Sequence, residues 1–261
     1  MSAQAWRATG ASVPGARHLD AGRPGEDAYA HALVSRRADA PAVLVLAVAD
    51  GAGSAARAVE GAAIAAGAAV AAATALLAPG APDSTVAWSA LAATLLTTTL
   101  RRHAGAAGVL APPGQPGDLA STLTCALVAP PWLCLVSVGD GFVVVRRRDG
   151  SLHLVVAPQR EADAWANETF FLTSPQVRER ARSVCLWDPE LDAVALSTDG
   201  LLAAALRDGS PPRPEPAFLG PLIEHARETS DAQELHRYLL ADEAVAATTD
   251  DDRTLLVGVA T

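Results

Sequence analysis

Apolar residues run unbroken from Val43 to Ala49 and stop at Asp50, which is followed by Gly51-Ala52-Gly53-Ser54. A short aliphatic and β-branched run bounded by a turn signal predicts a strand buried on both faces. The same event recurs twice. Trp132 to Val138 runs into Gly139-Asp140-Gly141, and Leu191 to Ser197 runs into Thr198-Asp199-Gly200. Further strands are predicted at Ala28 to Val34, Leu119 to Val128, Phe142 to Arg147, Leu152 to Val156 and Leu255 to Val259, with Asp149-Gly150 as a hairpin turn. Short strands joined by tight turns imply antiparallel pairing. Helical patterns cover Ala55 to Leu77, a stretch from a cap at Asp83 or Ser84 to about His103, a start at Leu201, and residues 217–240. Residues 15–27, 104–118 and 210–216 read as loops, and 158–178 as an irregular segment; there is no internal repeat.

Composition narrows this picture. A chain of 261 residues, half of them hydrophobic, suits a substantial core. A formal net charge of −9 argues against nucleic-acid or anionic-membrane partners, both of which need clustered positive charge. Cys125, Cys134 and Cys185 lack CxxC spacing and fit reduced core cysteines of a cytoplasmic protein; no secretory signal opens the sequence. The segment from Ala58 to Ala78 is long and nearly uncharged, but its Ala/Gly content and Glu60 favour a helix packed inside a domain over a membrane span.

The chemistry lies in the acids. Asp27, Asp50, Asp140, Asp199 and Asp251 each fall at a predicted strand edge, most beside a glycine. A lone Asp-Gly is ordinarily turn chemistry. Five carboxylates brought together would repel one another severely unless divalent cations sat among them. Oxygen ligands without His or Cys point to Mg²⁺ or Mn²⁺ rather than zinc. A carboxylate-held pair of such ions, about 3.5–4 Å apart, is a standard means of activating water against a phosphoryl group.

In order and surroundings these acids resemble the metal-dependent serine/threonine protein phosphatases of the PP2C (PPM) type, nearest the bacterial PP2C_2-like branch. Glu26-Asp27-Ala28 is similar to the family's first acidic motif, Asp50-Gly51 to its metal loop, and Ser121-Thr122 to the pair opening a central strand. Gly139-Asp140-Gly141, Thr198-Asp199-Gly200 and Asp251-Asp252-Arg253-Thr254 resemble the later motifs, and 166–173 a block of the bacterial branch. The resemblance implies an α+β fold, a four-layer α/β/β/α sandwich of two antiparallel sheets flanked by helices, spanning residues 1–261 as one phosphatase domain. It implies two Mn²⁺ or Mg²⁺ ions, with Asp50 bridging both, the Gly51 carbonyl on one, and Asp199 and Asp251 on the other. Glu26 and Asp27 would hold bound waters, and Asp140 a weaker third ion. Phosphoserine and phosphothreonine would be hydrolysed in line without a phospho-enzyme, on phosphorylated proteins that include a Ser/Thr kinase or its targets.

Some positions depart from the family pattern. Gly22 stands where the family often has a phosphate-binding arginine, leaving Arg23 as the candidate, with Arg17 and His18 further back. Ala52 stands where many members have a histidine general acid, so leaving-group protonation falls to a metal-bound water or to His18. Asp252 replaces the usual asparagine, and register with the final strand favours Asp251 as the ligand. The competing expectation is a catalytically weak or inactive regulatory relative, which retention of every acidic position disfavours. A haloacid-dehalogenase reading needs an acid two residues after Asp50, where Ala52 stands, and a P-loop reading needs a lysine that the sequence lacks.

Overall fold

The structure, a computed structural model, describes residues 5–35, 42–110, 115–159, 169–229, 231–241, 245 and 248–261. Its strands are β1 (Trp6–Val13), β2 (Asp27–Val34), β3 (Val43–Asp50), β4 (Leu123–Ala129), β5 (Trp132–Val138), β6 (Phe142–Arg147), β7 (Leu152–Val156), β8 (Arg182–Trp187), β9 (Leu191–Ser197), β10 (Leu206–Arg207), β11 (Arg213–Pro214) and β12 (Arg253–Ala260). Its helices are α1 (Ala16–Asp20), α2 (Ala58–Leu77), α3 (Thr85–Leu110), α4 (Val177–Arg180), α5 (Leu202–Ala205), α6 (Pro216–Glu228) and α7 (Ala232–Ala241). Two five-stranded antiparallel sheets, β1-β12-β9-β6-β7 and β2-β3-β4-β5-β8, form the centre.

Alternation decides what each sheet buries. Leu44, Leu46 and Val48 of β3 meet Val194, Leu196 and Leu256 of the other sheet between the layers, while Val43, Val45 and Ala47 point outward onto α2 and α3. On the far side, Ala193, Ala195, Leu255 and Val257 pack against Phe218, Leu222, Leu235 and Leu239 of α6 and α7. The predicted four-layer sandwich is therefore the observed one.

The buried face of α2 is almost all alanine, with Ala62, Ala65, Ala66, Ala69, Ala72 and Ala73 inaccessible. Small side chains let its backbone lie close to the sheet. By length and composition α2 could cross a membrane; here one side of it is packed in the core. α3 buries Trp88, Ala92, Leu95, Thr99 and His103 at helical spacing, and Trp88 stacks on Trp132 with ring centroids 6.5 Å apart. On the other outer face, Asp192 of β9 accepts hydrogen bonds from Arg146 of β6 (Nε 3.0 Å, Nη2 2.7 Å) and Arg227 of α6 (Nη2 2.6 Å).

Several elements differ from expectation. β1 falls in a stretch with no predicted strand, and β8 lies between predicted elements. α3 runs to Leu110, through part of the expected loop over 104–118, of which 111–114 lie outside the described residues. The helix expected from Leu201 is one short turn, α5, because Leu206 peels off to pair with Pro214. Residues 217–240 divide into α6 and α7. Of the irregular segment 158–178, residues 160–168 lie outside the described residues.

Candidate metal centre

Antiparallel register carries the acids to one rim. Asp27, the first residue of β2, is the direct partner of Asp50, the last of β3. In the other sheet Phe142, Ser197 and Leu255 stand side by side at the ends of β6, β9 and β12. The residues just beyond those ends, Asp140, Asp199 and Asp251, therefore leave the sheet at the same edge. Carboxylate oxygens of Asp50, Asp140 and Asp199 all lie within 4.8 Å of one another. Asp27 and Asp251 are close enough for their charges to act on Asp50.

The supporting shell is made of hydroxyls and close-packed backbone. Thr122 Oγ1 accepts from the Asp50 amide (2.9 Å), and the Thr122 amide donates back to the Asp50 carbonyl (2.8 Å). Thr198 Oγ1 donates to Asp27 Oδ2 at 2.7 Å, tying the end of β9 to the opposite sheet. Thr169 Oγ1 donates to Asp140 Oδ2 at 2.9 Å. Arg182 donates to the Gly139 carbonyl and the Ser137 hydroxyl, each at 3.4 Å, and the charge of Asp140 acts on it. Gly200 permits the closest approach: a Cβ there would sit 1.8 Å from the Asp252 carbonyl oxygen, so only glycine lets the Asp199 loop abut the start of β12. Gly139, with φ +97°, makes the turn that delivers Asp140.

Asp252 is buried beside this cluster, and its charge acts on Asp27. Its carboxylate accepts from the Gly15 amide (2.7 Å) and the Glu26 amide, and lies 2.8 Å from His18 Nδ1. His18 Nε2 stands 3.5 Å from Glu26 Oε1, so the ring, 4% exposed, is clamped between two carboxylates. Asp251 is the more open neighbour, 3.6 Å from Arg17. Arg23 is 55% exposed at the rim, 3.9 Å from Glu26. The Gly51 amide donates to the Glu26 carbonyl at 3.0 Å, joining the first acidic motif to the metal loop.

Burial pushes the Asp27 carboxyl up to about 7, against the hydroxyls of Thr198 and Thr254, with the charges of Asp252 and Asp199 adding to the rise. The Asp50 carboxyl is held well above the usual range by burial first, then by Asp27, Asp199, Asp140 and Asp251. A site that resists its own ionisation this strongly is short of positive charge. Asp140 Oδ1 is also buried without a hydrogen-bond partner. An all-oxygen donor set with an orphaned carboxylate oxygen fits hard divalent cations of the Mg²⁺ or Mn²⁺ kind.

Thr169, Thr198 and Arg182 had no role assigned from the sequence. Thr198 directly precedes Asp199 and Thr169 lies in the 166–173 block, which were their signals; Arg182 is placed by tertiary packing alone.

A family model described as Protein phosphatase 2C matches residues 14–240. Serine/threonine-protein phosphatase 3 of Escherichia coli (strain K12) is 30% identical over 258 residues, covering 97% of this chain and 98% of that one. The serine/threonine phosphatase Stp1 from Staphylococcus aureus shares the fold at a TM-score of 0.63 and 14% identity, over 98% of this chain and 95% of that one. The catalytic domain of the serine/threonine protein phosphatase PstP, solved in complex with two manganese ions, does so at 0.59 and 20% identity, over 99% of each chain.

Proposed function

Because the chain belongs to the protein phosphatase 2C family and is a protein serine/threonine phosphatase, we propose that it hydrolyses phosphoserine and phosphothreonine with a water activated by two Mn²⁺ or Mg²⁺ ions. The observation that carries this reading is the meeting of Asp50, Asp140 and Asp199 around one point. Asp50 would serve both ions, with the Gly51 carbonyl a ligand to one and Asp199 and Asp251 ligands to the other. Glu26 and Asp27 orient waters, and Asp140 serves a further, weaker ion. The hydroxyls of Thr169 and Thr198 hold the carboxylates of Asp140 and Asp27, and that of Thr122 holds the backbone amide of Asp50. Arg23, exposed at the rim, meets the substrate phosphate. His18 is a positioning residue: clamped by Asp252 and Glu26, it fixes the α1 turn against β12, and the leaving-group proton comes from water. On this reading residues 1–261 act as one catalytic domain, in the cytoplasm, on phosphorylated proteins that include a Ser/Thr kinase or its targets.

The test is phosphate release from a phosphothreonine peptide by chelator-stripped protein resupplied with Mn²⁺ or Mg²⁺. Activity is expected to require the metal and to vanish in Asp50→Asn and Asp199→Asn. Calorimetric titration with Mn²⁺ runs in parallel. A folded chain that binds no Mn²⁺ and releases no phosphate would be a regulatory relative instead, and activity unaltered by either substitution would overturn the assigned ligands.

A further inference from the structure

Cys125, Cys134 and Cys185 are all free thiols, but they are not equivalent. Cys134 of β5 and Cys185 of β8 are direct register partners, and their sulfurs lie 2.9 Å apart. Directly opposed residues of an antiparallel pair have Cα separations inside the range that a disulfide spans, and their Cβ atoms share one face. β8 is the edge strand of its sheet, and Cys185 is half-buried there, whereas Cys134 and Cys125 are buried. The pair lies on the face of the sheet that carries α3, flanked by the opposed Trp132 and Trp187. It stands apart from the acidic rim and has no part in the hydrolytic chemistry assigned above.

We propose that Cys134 and Cys185 form a reversible oxidation site, a dithiol that closes to a cross-strand disulfide when hydrogen peroxide reaches the edge of the sheet. The Cys185 thiolate attacks the peroxide; the O–O bond breaks, an S–O bond forms, and the displaced hydroxide takes up a proton to leave as water. Cys134 then attacks the Cys185 sulfur; the S–S bond forms, the S–O bond breaks, and the thiol proton departs with the hydroxide as a second water. Two thiols are oxidised and one peroxide is reduced. Burial pushes the Cys134 thiol up, which makes it the resolving partner rather than the first nucleophile. Closure would pin β8 to β5, and β8 begins at Arg182, the side chain braced on Ser137 and Gly139 beside Asp140. The proposal rests on the strand register alone and stands whether or not the metal assignment holds.

The experiment treats the full chain with hydrogen peroxide, then denatures, alkylates with N-ethylmaleimide and measures intact and peptide masses. The expected result is loss of two hydrogen masses, one remaining alkylated cysteine at Cys125, and a single cross-linked peptide joining Cys134 to Cys185, all reversed by dithiothreitol. In Cys134→Ser, oxidation is expected to stop at a Cys185 sulfenic acid that dimedone traps. Three alkylated thiols after peroxide, oxidation of Cys185 to sulfinic acid without a cross-link, a bridge to Cys125, or a bridge between two chains would each overturn the proposal.

Discussion

Asp27 and Asp50 face each other across β2 and β3; burial raises both carboxyls, and the charge of Asp27 raises that of Asp50 further. In the metal-free folded protein Asp27 holds its proton up to about pH 7, while in the unfolded chain it ionises near 3.8. Its contribution to stability is thus full below the unfolded value and is lost as pH rises through the folded one. In chelator the melting temperature is expected to fall between about pH 4 and about pH 7 and to level off above that. Asp27→Asn should flatten that fall, because the amide has no proton to lose. Saturating Mn²⁺ should also flatten it, since ligands must be deprotonated to bind. Thermal scans over this range, with and without metal, check all three outcomes. A slope as steep in Asp27→Asn as in the wild type would show that other groups set it.

Elements are held by fewer polar anchors than the ion pairs suggest. Most pairs are exposed and worth little. Asp192 is different, because its buried carboxylate serves Arg146 of β6 and Arg227 of α6 together. Asp192→Ala would leave Arg146 buried with its remaining carboxylate, Glu224, half in solvent. Breaking such a pair from one side costs about 3–5 kcal/mol, so a loss near the lower figure is expected in urea denaturation, with phosphatase activity at low temperature retained. Elements were legible from sequence wherever apolar residues dominate a short run before a turn: β3 is apolar throughout up to Asp50, β5 and β9 are interrupted only by Ser137 and by Asp192 before their last residues, and β6 is apolar from Phe142 to Val145. β1 was not, because Arg7, Thr9, Gly10 and Ser12 dilute its apolar positions; its strand character comes from pairing along the whole of β12. β8 was not, because Arg182 and Ser183 open it and Trp187 faces solvent, as suits an edge. The site was legible as residue types before strand ends and illegible as contacts. The clamp on His18 and the facing of Cys134 by Cys185 depend on which strands become neighbours, which no local pattern states.

At the scale of the molecule, five acids from five separate places in the chain come together at one edge of a sandwich whose two sheets pack through an apolar layer. A ligand that binds only when both sheets are in place stabilises the whole by mass action, by about 2.7 kcal/mol at a hundredfold excess over its dissociation constant. Mn²⁺ is therefore expected to raise the melting temperature in proportion to the logarithm of its concentration, and Asp199→Asn to abolish the rise; a metal-independent melting temperature in the wild type would refute it. The pairing of Trp6 with Ala260, and of every residue between them on β1 and β12, carries one more consequence. A ribosome delivers β1 long before β12, its neighbour in the sheet, so β1 waits for that pairing while some two hundred and forty residues are added. If Asp251 is a ligand as proposed, a nascent chain would gain hydrolytic competence only after translation has passed it.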